Sequence, residues 1–197
     1  MTREDYKVDN SGSNQGIIVG HNEGDIYCTL QQVVKIPSLI STVVKTLGTL
    51  CLEDPLSLSG QSLEGFKPDE KIEYNHVLRY RDIIKEFAAY YWTCDNHLNV
   101  YDDSHIRGKA KILNCVHLWY LEAKGNVLAQ NENSGKADIE IVREHSDELI
   151  DIVKKRIVDV VKNSLEFESM HIEDLEIGVA CFTCYCFMEC RVLEKPV

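Results

Sequence analysis

The spacing of apolar residues along this chain changes character near residue 30. Before that point, residues 14 to 29 form two eight-residue units, Asn14-Gln15-Gly16-Ile17-Ile18-Val19-Gly20-His21 and Asn22-Glu23-Gly24-Asp25-Ile26-Tyr27-Cys28-Thr29. Asn, Gly and Ile recur at the first, third and fifth places of each unit. Glycine and asparagine tolerate the left-handed backbone of tight turns, and Ile, Val and Tyr favour extended chain. The pattern predicts a short β-hairpin turning at Gly20-His21-Asn22. A lone two-stranded hairpin is marginal in water, so this one needs a neighbour, and an added strand is a common way to join subunits. Asn14, Gly16, Ile18, Asn22, Gly24, Ile26 and Tyr27 are therefore candidate interface residues.

From Leu30 onward the period is helical, which predicts a mainly α, bundle-like domain over 30–197 behind a β-repeat segment at 1–29. Pro37 suits the first turn of a helix reaching about Leu52, with Ile40, Val43, Val44 and Leu47 on its apolar side. Pro55 to Gly65 reads as a loop. Pro68-Asp69-Glu70 then opens a long helix with a heptad seam: Val77, Ile84, Tyr91 and Leu98, with Tyr80, Phe87, Cys94 and Tyr101 three places on. That seam is read as packing within a bundle. After a turn at Asp102-Asp103-Ser104, a third helix carries Ile112, Cys115, Val116, Trp119 and Ala123 and ends near Gly125. Residues 126 to 138 read as loop. Ser146 is read as the N-cap of a fourth helix, with Leu149, Val153, Ile157, Val161 and Leu165 on one face. The last helix, about Asp174 to Leu193, is apolar almost all round and belongs at the centre of a core.

Charge narrows the functions. Thirty-two acidic residues against 21 basic ones leave a formal net charge of −11, so strong direct binding to nucleic acid is not expected. No apolar run reaches the roughly 20 residues of a membrane helix, and no signal-peptide core follows Met1. The expectation is a cytoplasmic protein without membrane association, whose eight cysteines are free thiols.

Three patterns imitate chemistry. Cys181, Cys184, Cys186 and Cys190 crowd the last helix, but at about 100° per residue the first two lie nearly opposite the last two, so one helix cannot wrap a metal with all four. They read as core fillers. Asp95, His97, Asp102, Asp103 and His105 gather at a turn and offer an alternative, a small metal-dependent enzyme, although turns collect Asp and His anyway. Pro68-Asp69 with Glu122-Ala123-Lys124 imitates a Mg²⁺ nuclease pattern, but that chemistry needs neighbouring strands and both pieces fall on predicted helices. No phosphate-cradling glycine loop and no hydrolase elbow is present in the sequence. This reading assigns no catalytic residue, no metal ligand and no cofactor.

Two stretches, Lys71-Ile72-Glu73-Tyr74-Asn75 running on to Arg81-Asp82-Ile83-Ile84-Lys85-Glu86, and the ending Phe187-Met188-Glu189-Cys190-Arg191-Val192-Leu193-Glu194-Lys195-Pro196, carry a resemblance. Together they resemble the helical C-terminal domain of ABC-three-component prokaryotic conflict systems, the group that includes the Lamassu defence systems. The likeness covers about two thirds of the chain, from Phe66 to Val197. Members of that group usually carry this domain behind an effector such as a nuclease and work with an SMC-like ABC ATPase. Here the Gly/Asn repeat stands where an effector would be, so no catalytic residue carries over. The resemblance implies a non-catalytic accessory or scaffold subunit of an anti-phage or anti-plasmid complex, partnered by an SMC-like ATPase and an effector subunit in a homo- or hetero-oligomer. A free-standing oligomeric regulator is the other alternative.

Overall fold

The computed structural model describes residues 35–50 and 68–196, and these are mainly helical. The repeat at residues 14–29, with its predicted hairpin and all seven candidate interface residues, lies outside the described residues. The helices are α1 (Leu39–Leu50), α2 (Pro68–Tyr74), α3 (Arg81–Phe87), α4 (Tyr91–Ser104), α5 (Gly108–Gln130), α6 (Asp138–Glu144), α7 (Ser146–Lys162) and α8 (Ile172–Met188). As its composition requires, α8 is the core: every residue from Cys181 to Met188 is buried.

Helix α1 begins where Ser38 Oγ accepts the Ser41 N–H (3.3 Å) and the Glu166 carboxylate accepts the Ser38 N–H (3.2 Å), two of the donors that a helix start leaves unsatisfied. It crosses α8 at backbone contact. A Cβ on Gly178 would stand 2.0 Å from the Val44 carbonyl oxygen, and one on Gly48 would stand 2.1 Å from that of Asp174. Only hydrogen fits at either position. The approach lets Val43, Val44 and Leu47 reach full burial against α8 and its neighbours.

The long second helix is broken, although its seam faces inward as the heptads require. Val77, Tyr80, Ile84, Cys94 and Leu98 are buried, but α2 stops at Tyr74, His76 turns into the left-handed region (φ 54°), and a 3₁₀ turn at Ala88–Tyr90 separates α3 from α4. The break has partners. Asp147, in the first turn of α7, accepts the Leu78 and Arg79 N–H groups (3.3 and 3.0 Å), while Tyr80 and Arg79 both donate to Asp151. A continuous helix would use those amides internally.

Other boundaries move for similar reasons. Helix α5 runs past Gly125 to Gln130 because Val127 extends its buried face. Helix α6 occupies chain beyond the predicted loop, started by Asp138 and by Glu140, whose carboxylate accepts the Ala137 N–H (3.0 Å). Ser146 is the first residue of α7, not its N-cap, and its hydroxyl donates to the His76 carbonyl (3.3 Å). Leu165 leaves the apolar face, being 51% exposed in a 3₁₀ turn. Helix α8 ends at Met188, and Cys190 and Leu193 follow in left-handed turns.

Candidate functional site

The two stretches that carry the resemblance meet in space. Lys71 of α2 is 1% exposed and lies over the Phe187 ring, 4.5 Å from its centroid. Its ammonium donates to the carbonyls of Phe187 and Val192 (2.8 Å to the latter), so a positive charge sits at the C-terminal end of α8, where the helix dipole favours it. Burial drags the Lys71 pKa down to about 8, opposed by the nearby Cys190 thiol and the Glu194 carboxylate. One turn on, Asn75 makes a two-point contact with Glu194: its amide donates to the Glu194 carbonyl and its oxygen accepts the Glu194 N–H, both at 2.9 Å. The Glu194 carboxylate then accepts from Tyr120 (2.6 Å) and Lys124 (2.7 Å) of α5. Burial would raise its pKa, but those two donors together hold it below the usual carboxylate range. The polar atoms of this lock are spent on one another, so it fastens the chain's end onto α2 and α5.

The Asp/His group separates instead of converging. Asp95 faces α8 and accepts from the Tyr185 hydroxyl (2.7 Å), Lys109 (2.7 Å) and Asn99 (3.0 Å). Burial pushes its carboxyl up, and these donors outweigh that and hold it low. The Asp102 carboxylate accepts the Lys109 N–H (2.8 Å) at the start of α5. His97 and His105 point elsewhere, into a cleft of about 480 Å³ between α4 and the start of α1, where they flank the Tyr101 ring. Burial lowers the His97 pKa, and its Nε2 is buried without a hydrogen-bond partner. No group of three or more His, Cys, Asp or Glu among the described residues is arranged to hold a metal ion. The nuclease-like pattern disperses too: Asp69 pairs with Lys85 (2.7 Å) and Lys124 with Glu194, while Glu122 lies on the opposite side of α5 from the lock.

The cysteines of α8 pack as apolar groups. Cys181, Cys184 and Cys186 are at most 3% exposed, and burial pushes the Cys184 thiol up to about 12 and the Cys186 thiol higher than its ordinary value. Cys190 lies beyond the helix, beside Lys71.

Apolar side chains are left exposed on both α5 and α7. Leu118 and Leu121 on α5 are 54% and 47% exposed, and Ile152 on α7 is 40% exposed. Between the helices runs a groove of about 340 Å³, with Trp119, Ala123 and Ile152 flanked by Glu122, Lys155, Arg156 and Asp159. The Arg156 guanidinium lies over the Trp119 ring, 5.9 Å from its centroid. Positions 118, 121 and 122 are three and four apart and so share one helix surface, as do 152, 155, 156 and 159. Their period was visible in the sequence: Leu118 and Leu121 lie off the stripe of Ile112, Val116 and Ala123, which makes α5 apolar on more sides than one. None of the described helices is long and apolar enough to cross a membrane. No protein-family profile, curated protein or solved structure matches this chain.

Proposed function

We propose that this chain is a non-catalytic accessory subunit of a prokaryotic defence complex, joined to an SMC-like ABC ATPase and a nuclease-type effector. The observation that carries the reading is the α5–α7 face. Trp and Arg are the residues most enriched at the energetic centres of protein interfaces, and here they stack inside an apolar groove rimmed by charge. The occupant that fits is an amphipathic helix of a partner subunit, its apolar stripe seated between Trp119, Ala123 and Ile152. Charges of both signs on its borders would meet Lys155 and Arg156 on one hand and Glu122 and Asp159 on the other. The choice of partners rests on the resemblance, whose two stretches form the lock at the end of α8.

The metal-enzyme alternative needs the Asp95 and His97 side chains on one ion, and they face different neighbours. The test is capture of the products of the adjacent genes by the full chain, tagged and co-expressed with them. The intact chain is expected to retain an SMC-like ATPase, and Leu118→Glu with Ile152→Glu is expected to lose it while melting at an unchanged temperature. Retention by the double variant, or self-association through this face without any neighbour's product, overturns the reading.

A further inference from the structure

Helices α4 and α8 bring two thiols together from positions 87 residues apart: Cys94 Sγ and Cys181 Sγ lie at 3.2 Å. Each residue is 1% exposed. A disulfide needs about 2.05 Å between sulfurs, so the pair lies roughly 1.2 Å from bonding distance. The helices are already aligned around it. Tyr185, one turn beyond Cys181, donates to Asp95, the neighbour of Cys94, at 2.7 Å, and the Tyr91 hydroxyl donates to Glu189 at 2.5 Å. These bonds fix how the two backbones pass one another, leaving mainly side-chain rotation to close the gap.

The same seam explains how an oxidant could reach a buried pair. Within α4 only Cys94 and Leu98 are fully buried among the described side chains, and the helix is preceded by a 3₁₀ turn with no buried residue. Tyr91 and Tyr101 pack against the core only partly buried, so α4 is a more exposed element than α8 and is the side from which local opening reaches the pair. Opening of α4 exposes Cys94 while Cys181 stays anchored on α8. Cys184 differs, its sulfur resting against the Ile83 carbonyl (3.9 Å).

We infer that Cys94 and Cys181 are an oxidation-formed cross-link site that latches α4 onto α8. With a peroxide as oxidant, one thiolate attacks the O–O bond, becoming a sulfenic acid as the peroxide is reduced to water. The second thiolate then attacks that sulfur and expels hydroxide, which leaves as water with a proton. In sum, two thiols and one hydrogen peroxide give one disulfide and two waters. The latch fixes the helix that supplies His97, Tyr101 and His105 to the cleft beside α1.

The full chain, purified reduced, is treated with hydrogen peroxide, blocked with an alkylating agent and mapped by mass spectrometry without reduction. The expected result is a linked peptide pair containing Cys94 and Cys181, short of two hydrogen atoms, and a melting temperature about 5 °C or more above the reduced form. Dithiothreitol should reverse both, and Cys94→Ala should abolish both while Cys190→Ala leaves them. Peptide mapping of the unaltered chain needs no variant to fold. Alkylation of both Cys94 and Cys181 after peroxide treatment, or a cross-link that leaves the melting temperature unchanged or lower, overturns the inference.

Discussion

Helix α8 meets its neighbours in two different ways. Against α1 it makes backbone contact, with Gly48 and Gly178 at the crossing, and Lys71 and Asn75 clamp its last turn and the chain that follows it. Against α4 the contact is made by side chains: a thiol pair, a tyrosine–carboxylate bond and two neighbouring tyrosine rings, Tyr91 and Tyr185, 5.3 Å apart. The first seam is fixed by shape and has no room for one added methyl group. The second is fixed by functional groups, whose protonation or oxidation changes how tightly the helices are held. Rigidity and chemical responsiveness therefore sit on different seams of one helix.

The sharpest way to break this contrast is at the crossing. In Gly178→Ala the new methyl group would stand 2.0 Å from the Val44 carbonyl, against a backbone atom that cannot rotate away. Separating α1 from α8 also loosens Val43, Val44 and Leu47, so the expected loss is about 3 kcal/mol, at the upper end for overpacking. Urea unfolding measures it. A loss below about 1 kcal/mol would mean that the crossing relaxes freely and that the two seams do not differ in kind.

An intermediate effect is expected on the α4 side. Asp95→Asn keeps the shape but gives up the ionised acceptor shared by Tyr185 and Lys109, for an expected loss of about 1–2 kcal/mol. The pH dependence identifies the cause. Because folding holds the Asp95 pKa below its unfolded value, its contribution is present above about pH 4 and is lost as the pH falls through the lower folded value. The stability gap between the intact chain and Asp95→Asn should be flat from neutral pH to about pH 4 and close below it. A gap that stays constant down to about pH 2 would show that the carboxylate's charge contributes nothing to this seam.

These expectations mark what could be read from the sequence. The central place of α8 was legible, since a segment apolar on every side has nowhere else to go, and so was the inward seam from Val77 to Leu98. The continuity of that seam's helix was not. Its break depends on Asp147, some seventy residues away, taking the amides of Leu78 and Arg79, and a heptad count cannot see an acceptor supplied by another helix. The glycine crossing was invisible for a related reason: Gly48 and Gly178 acquire meaning only when paired. Among the site residues, Asp95 and His97 stand out in the sequence as chemically unusual, yet adjacency along the chain was a poor guide to what they touch. Two residues apart on a helix, they point about 200° apart around its axis. One is bound to α8 and the other lines the cleft. The exposed Leu118 and Leu121 of α5 were legible only as apolar residues in excess of one stripe, because exposure is a property of the finished packing.

The smallest expected effect separates the two faces of α4. His97 Nε2 is a buried polar atom without a partner, and leaving such an atom unsatisfied costs about 1–3 kcal/mol of desolvation. His97→Phe removes that nitrogen while keeping a ring of similar shape edge-on to Tyr101, where the rings now sit 5.4 Å apart at 73°. Stability should therefore stay level or rise by up to about 1 kcal/mol, less than the full desolvation cost because the larger ring must be fitted beside Leu39 and Val100. The neighbouring Asp95→Asn moves in the opposite direction, so the two variants together contrast a polar group that is paired with one that is not. Thermal unfolding at about pH 7.5, where the lowered His97 pKa keeps the imidazole neutral, makes the comparison without a charge change. A loss of more than about 1 kcal/mol in His97→Phe would mean that Nε2 finds a hydrogen-bond partner in solution, and His97 would then hold its side of α4 by a polar contact as Asp95 holds the other.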